Sequence, residues 1–311
     1  MVIIHYEGKT MKLGFVGLGK MGRAMVARLL EHGHTVVAFD QDSAALKDLK
    51  KAGASVAGTL ADLIEQLPSP RCIWIMVPHV AVDTVIAEFL PLLAKGDTMI
   101  DGGNSFYKDS IQRHEMCAGK GIAYLDVGVS GGPGGARDGA CLMIGGDRNI
   151  FEQHEILLKD LALSDGYKYV GLSGAGHFVK MIHNGIEYGM MQAIGEGFAI
   201  MRASNFNLHL EEIANLYNRG SVIESRLVEW LAGAYKKFGD NLAGDVCCNG
   251  SVAHSGEGEW SVATAKEFSI DAPVIKAAFD FRVVSEMKPS YTGQVVSSLR
   301  YMFGGHDVRP E

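Results

Sequence analysis

The spacing of apolar and polar positions changes once along the chain. In the first half, short apolar runs alternate with segments of helical period. KLGFVGL (12–18) reads as a buried strand, followed by a glycine turn and a helix from about Met21 to His32. HTVVAFD (34–40) reads as a second strand and AALKDLKKAGA as a second helix. RCIWIMVP (71–78), DTMIDGGN (97–104), IAYLDVGV (122–129) and ACLMIGGD (140–147) supply further strands, with helical segments between them. Strands alternating with helices predict a parallel, doubly wound α/β sheet with right-handed crossovers. From His177 onward, apolar residues recur at three- and four-residue spacing, and strand candidates are few. The pattern divides the chain into residues 1–176, an α/β unit, and residues 177–311, an all-α unit.

One stretch at that junction breaks the pattern. In KMIHNGIEYG (180–189), Lys180, His183, Asn184, Glu187 and Tyr188 fall at i, i+3, i+4, i+7 and i+8, so they form one polar stripe on a helix. The neighbours Met181, Ile182, Ile186, Met190, Met191 and Ile194 are apolar nearly all round, which leaves little of the helix to face water. The spacing therefore predicts that the stripe faces a ligand. Lys180 stands near the expected helix start, where the dipole disfavours an ammonium charge. Desolvation acts in the same direction and an anionic ligand in the other. Glu187, two turns along, is placed as a separate acid.

Composition narrows the classes. With 311 residues, 47% hydrophobic and 21% charged, the chain is long enough for two domains of ordinary globular character. A formal net charge of -7, with no long Lys/Arg run, argues against nucleic acid as partner. Five cysteines, at 72, 117, 141, 247 and 248, are odd in number and lack zinc-ligand spacing, so they read as reduced thiols of a cytoplasmic protein with no metal site. No apolar run reaches membrane-spanning length. The ten residues before Met11 are too short and polar for a signal peptide and read as a short extension.

Candidate chemistry gathers at strand ends. GFVGLGKMG places Gly17, Gly19 and Gly22 in GxGxxG spacing between a strand and a helix. This is the setting in which a Rossmann-type turn brings a dinucleotide pyrophosphate to the helix amides. Gly17, Leu18, Gly19, Lys20, Met21 and Gly22 are the expected cofactor loop, with Val77, Pro78 and Asn104 at neighbouring strand ends. Asp40, about twenty residues on, closes the second strand, where a carboxylate hydrogen-bonds ribose hydroxyls and repels a 2′-phosphate. No arginine lies beside it in sequence, which favours NAD over NADP. DVGVSGGPGGARDGA (126–140) offers Ser130, Gly131 and Gly132 in a loop whose amides can cradle a carboxylate or phosphate.

Taken together, GFVGLGKMG, VSGGPGGARDG and the lysine after GAGHFV resemble the β-hydroxyacid dehydrogenase superfamily. DGGNS and KMIHNGIEYG resemble its 6-phosphogluconate dehydrogenase branch, in a short form with one helical unit, from Met11 to about His306. The resemblance implies oxidative decarboxylation of 6-phosphogluconate to ribulose 5-phosphate with NAD, and less readily with NADP. Lys180 would be the general base and Glu187 the proton donor. Ser130, Gly131 and Gly132 would bind the carboxylate, and Asn104, His183, Asn184 and Tyr188 would contact substrate. Arg282 in FDFRVV would bind phosphate. Arg300 and His306 in RYMFGGH would reach a neighbouring subunit's substrate, which implies a homodimer or homotetramer. Two positions depart from the long enzymes: HSGEGEW carries Ser255 and Glu259 where those have lysines. The competing readings are a 3-hydroxyisobutyrate or tartronate-semialdehyde type dehydrogenase, whose substrates carry no phosphate, and a non-catalytic NAD-binding protein.

Overall fold

The structure, a computed structural model, describes residues 10–242, 249–254 and 256–305. Cys247, Cys248, Ser255 and His306 lie outside the described residues, as do the first nine positions. The chain divides into two compact units, which separate between Met181 and Ile182, inside one long helix.

In the first unit the elements run β1 (Lys12–Val16), α1 (Lys20–Glu31), β2 (Thr35–Phe39), α2 (Ser43–Lys51), β3 (Ser55–Val56), α3 (Leu60–Glu65), β4 (Cys72–Ile75), α4 (His79–Phe89) and β5 (Thr98–Asp101). They continue through α5 (Tyr107–Ala118), β6 (Ala123–Ser130), α6 (Gly132–Asp138), β7 (Ala140–Gly146), α7 (Arg148–Gln153), α8 (Glu155–Leu161) and β8 (Ala162–Gly171). The strands form one sheet in the order β3-β2-β1-β4-β5-β6-β7-β8. The order in which successive strands join the sheet reverses between the parallel neighbours β1 and β4, the position where open α/β sheets bind ligands at the strands' carboxyl ends.

The strands are apolar on both faces because helices cover both. Phe15, Val36, Ala38 and Trp74 pack one way, with Met25 and Leu29 of α1. Val16, Val37, Ile73 and Ile75 pack the other way, with Leu63, Ile86 and Phe89. Period-two alternation thus sorts two cores from a nearly continuous hydrophobic run.

The sheet departs from the expected all-parallel order at one place: β6 and β7 run antiparallel. Only Gly131–Gly139 separates them, too little for a parallel crossover of a dozen residues or more. The eighth strand, β8, was not foreseen; its residues are mostly half-buried or exposed, so it lacks an apolar run. The segment expected as a glycine loop is α6 itself, with Gly131 as its N-cap.

The long helix is α9 (Ala175–Ala203), of 29 residues. The second unit continues with α10 (Leu210–Tyr217), α11 (Arg226–Phe238), α12 (Glu257–Glu267), α13 (Pro273–Ser285) and α14 (Tyr291–Gly304). Its core joins Met191 and Phe198 of α9 with Leu210, Leu231, Tyr235, Val295 and Leu299. Among the described residues no helix is long and apolar enough to cross a membrane.

Candidate active site

The cofactor turn is shaped by backbone. Gly17 has φ +96, and a Cβ there would strike the Met76 carbonyl oxygen, so this position admits only glycine. Its N–H donates to the Phe39 carbonyl at 3.1 Å, tying β1's end to β2. Gly19, by contrast, has open space where a Cβ would stand. It is the N-cap of α1 and supplies no side-chain cap, the arrangement that a helix start binding an anion requires. These features fit a dinucleotide pyrophosphate. Leu18 differs from its neighbours: its side chain is in the core, and its N–H donates to Asp40. It shapes the loop from within and is not free to contact a cofactor.

Asp40 also accepts from the Asp42 N–H at 2.8 Å. A carboxylate has about four acceptor positions, so two amides leave capacity for ribose hydroxyls. The expectation that no arginine stands nearby needs correction. Arg23 of α1 donates from Nε to the Leu18 carbonyl at 2.8 Å and pairs with Asp42 at 3.7 Å and Asp48 at 3.6 Å. The fold, not the sequence, brings it to β2's end, since α1 runs back along that strand.

At the ends of β4 and β5, Val77 and Asn104 meet the same edge. A Cβ on Gly103 would stand 2.9 Å from the Val77 carbonyl oxygen, and Pro78 caps α4. The turn holding Asn104 is fastened by Asp101, wholly buried, which accepts from the Gly103 N–H at 3.0 Å, Ser105 Oγ at 2.9 Å and Tyr124 Oη at 3.0 Å. Arg113 donates to Asp101 at 3.2 Å, to Ser105 at 2.8 Å and to Asp83 at 2.6 Å. Burial works against the Arg113 charge, but the hydrogen bond to Asp83 and the charge of Asp101 outweigh it and push its pKa up. Sequence reading missed this network because its members are spread from Asp83 to Tyr124 with no motif linking them all.

Lys180 sits against β6. A Cβ on Gly128 would collide with Lys180 Cβ, so this glycine lets α9 approach two residues before Ser130. Asp126, also on β6 and fully buried, accepts from the Gly174 N–H at 2.7 Å and the His177 N–H at 3.0 Å. A side chain from another element thus caps α9 and fixes the height of Lys180. His177 is held in turn by Ser110, with Nδ1 2.7 Å from Oγ. Lys180 is the sixth residue of α9, beyond the first turn where the dipole acts, so the dipole argument made from sequence does not apply to it. Beyond Ser130, Gly131 and Gly132 hold φ +125 and +63 and open α6.

The polar stripe of α9 is turned inward. Lys180 and Asn184 are each 9% exposed and Tyr188 6%, while Val179, Ile186 and Met190 are 37%, 53% and 44% exposed. At these six positions burial runs against hydrophobicity, and a polar group kept inside needs a hydrogen-bond partner, while Met181 and Met191 of the same helix are buried as expected. His183 Nδ1 lies 3.0 Å from the Asn184 side-chain oxygen and 3.8 Å from the Glu187 carboxylate.

Within the second unit, Tyr188 is the floor of a charged cluster. The Arg282 guanidinium stands 3.2 Å from its ring centre and donates to Met191 Sδ at 3.7 Å. Arg282 is 2% exposed, and burial pulls its pKa down to about 10, still charged at neutral pH. Burial lowers Arg300 as well. The charge of Arg300 acts on Arg282, so the two cations stand near each other within one chain. α14, which carries Arg300, packs in its own unit's core through Val295 and Leu299, and the charge of Arg300 acts on Arg282. Of the two departures, Glu259 is exposed, while Glu257, which sequence reading passed over, is buried. Among the described residues no group of three or more metal-ligand side chains comes together.

Comparison with known proteins covers both units. Residues 12–171 match the NAD binding domain of 6-phosphogluconate dehydrogenase, and residues 176–300 match the 6-phosphogluconate dehydrogenase C-terminal domain. A Bacillus subtilis protein provisionally named a 6-phosphogluconate dehydrogenase is 46% identical over 95% of this chain and 98% of its own. The NAD(+)-dependent, decarboxylating 6-phosphogluconate dehydrogenase of Haloferax volcanii is 41% identical over 96% of this chain and 98% of its own. A Plasmodium falciparum 6-phosphogluconate dehydrogenase, studied with NADP+ and with 6-phosphogluconate, superposes with TM-score 0.77 at 31% identity. That match covers 89% of this chain but 62% of the longer Plasmodium one. A Mycobacterium tuberculosis 3-hydroxyisobutyrate dehydrogenase, 21% identical with TM-score 0.73 over 94% of this chain and 99% of its own, shares the fold.

Proposed function

The chain belongs to the 6-phosphogluconate dehydrogenase family, and on that footing we propose that it oxidises 6-phosphogluconate with NAD and releases carbon dioxide, leaving ribulose 5-phosphate. The observation that carries this reading is Arg282, buried against the face of Tyr188, with the half-buried Arg300 close enough for its charge to act on it. Two desolvated guanidinium groups suit a phosphate dianion, and the substrates of 3-hydroxyisobutyrate type enzymes have none. The turn of residues 17–22 takes the dinucleotide, the segment from Ser130 the carboxylate, and Arg282 with Arg300 the phosphate.

Lys180, neutral, takes the proton from the hydroxyl on the third carbon as that carbon gives up its hydride. The dinucleotide, when bound at the Gly19 turn, supplies the hydride acceptor. The resulting β-keto acid loses carbon dioxide while protonated Lys180 polarises its carbonyl. Glu187, protonated, then delivers a proton to the first carbon of the enediol. Ser130 and the amides of Gly131 and Gly132 hold the carboxylate until it leaves, and Asn104, His183 and Asn184 fix the hydroxyls. Asp40 selects NAD.

We read the enzyme as a cytoplasmic homodimer or homotetramer. Free thiols at Cys72, Cys117 and Cys141 support the compartment, and exposed Ile186, Met190, Val274 and Val283 support self-association. The tail from His306 on reaches a neighbouring subunit. Mixing Lys180→Met with His306→Ala should restore part of the activity; no recovery would place His306 in its own chain's site.

The deciding assay follows reduced nicotinamide by absorbance with 6-phosphogluconate and either NAD or NADP, while trapping carbon dioxide. Stoichiometric reduction and release, faster with NAD, is expected. Reduction without carbon dioxide would indicate a simple hydroxyacid dehydrogenase.

A further inference from the structure

Glu257 is a carboxylate that the proposed chemistry does not use. It is the first residue of α12, 5% exposed, and its carbonyl accepts from Ser261 Oγ at 2.8 Å. The next residue, Gly258, lies so close under the Tyr188 ring that a Cβ would stand 2.5 Å from ring carbon Cε2. The Arg282 guanidinium stands 3.2 Å from the centre of the same ring. Glu257 therefore borders the arginine pair, and its charge is felt by both Arg282 and Arg300.

We propose that Glu257 is a built-in counter-anion of the phosphate subsite: it neutralises Arg282 and Arg300 when no substrate is bound, and it weakens the hold on phosphate. Two guanidinium groups sheltered from water are costly without an anion near them, so the empty site gains from a permanent negative charge. A phosphate dianion entering the same site must then share it with a buried like charge, which reduces its affinity. Glu187 faces the two arginines as well, but it is half-exposed and is engaged by His183 at 3.8 Å. Its protonation also changes during the reaction proposed above, so it is not a fixed counter-charge. The alternative role for Glu257 is structural, as an acid in the first turn of α12 favoured by the helix dipole.

This inference rests on the reading of Arg282 and Arg300 as the phosphate subsite. Its test uses inorganic phosphate as probe, so it does not depend on turnover. Glu257→Gln and Glu257→Asp would be compared with the unaltered protein by calorimetric titration of phosphate and by thermal unfolding with and without it. Glu257→Gln is expected to melt at a lower temperature when ligand-free, to bind phosphate about tenfold more tightly, and to gain more melting temperature from phosphate than the parent does. In turnover its KM for 6-phosphogluconate falls while kcat changes little or drops with slower product release. Glu257→Asp, which keeps the charge, should stay within about twofold of the parent. If the glutamine variant does not fold in plain buffer, the proposal requires that phosphate restore folding. Lower melting temperature with unchanged or weaker phosphate binding would overturn the proposal and leave only the helix-end role. Tighter phosphate binding in a protein that does not oxidise 6-phosphogluconate would keep the counter-anion and discard the proposed reaction.

Discussion

The two units build binding sites from different materials. In the first, the proposed recognition rests on backbone: the Gly17 turn, the Gly19 N-cap with open space around it and the start of α6 at Gly131 are conformations that a side chain would disturb. Its charged groups, Asp101, Arg113 and Asp126, are spent on fastening turns and helix ends. In the second unit the backbone is plain helix, and the proposed recognition rests on charged side chains: Arg282 on Tyr188, with the charges of Arg300 and Glu257 acting on it. A backbone site is rigid and indifferent to pH, whereas a charge cluster is tunable and costly to leave empty. α9 belongs to both, with Lys180 in the first unit and Glu187 in the second.

Replacing Lys180 should have the largest effect. Lys180→Met is expected to lower turnover by about a thousandfold or more, the upper range for one proton-transfer group, while leaving NAD and phosphate binding intact. Glu187→Gln should spare hydride transfer and slow product formation, which single-turnover absorbance and product assay separate. Loss of binding alone in both variants would remove these two roles.

The next largest effects separate the two materials. Gly17→Ala places a methyl against the Met76 carbonyl at φ +96. Strain of about 3 kcal/mol should weaken NAD by about a hundredfold. Phosphate titration of the same variant should match the parent, because the second unit's cluster owes nothing to that turn. Arg282→Met should do the converse, raising KM for 6-phosphogluconate about thirtyfold, the range of one charge-assisted pair, with NAD affinity unchanged. Its ligand-free stability should fall little, since the guanidinium already bears a desolvation cost. If either variant damaged both ligands equally, the division of labour would be wrong.

The same division explains what the sequence made legible. Backbone sites leave motifs: the glycine spacing at 17, 19 and 22, the DGGNS turn and the SGG segment could all be placed at strand ends from local pattern. So could the α9 stripe, because one helix carries it whole. Charge clusters assembled from several helices leave no such trace. The position of Arg300 beside Arg282 depends on how α13 and α14 pack, and no spacing in the chain encodes it. Arg282 itself was found only through family resemblance. Glu257 was hidden by its neighbour, since Glu259 stood at the position where a lysine was expected, yet Glu259 points to solvent. Antiparallel β7 was legible in principle, for nine residues cannot make a parallel crossover. β8 was not, having no apolar run to mark it.

The smallest expected effect probes where the backbone site borrows a charge. Arg23 lies at the ribose edge of the cofactor loop, yet it pairs with Asp42 and Asp48 and holds the Leu18 carbonyl. Both ion pairs are longer than 3.5 Å, with side chains roughly half exposed, so each contributes at most about 1 kcal/mol. Their value lies in occupancy: an arginine neutralised by two aspartates, beside a third at Asp40, is a poor receptor for a 2′-phosphate. Removing Asp42 and Asp48 charge with the double change to asparagine frees the guanidinium and lifts two repulsions while Asp40 still receives the ribose. The kcat/KM ratio of NADP to NAD should then rise by about tenfold, mostly through KM for NADP, and the gain should shrink with added salt. Arg23→Ala in that background should cancel the gain. A gain that survived without Arg23 would mean that repulsion alone excludes the 2′-phosphate and that the arginine only braces the turn.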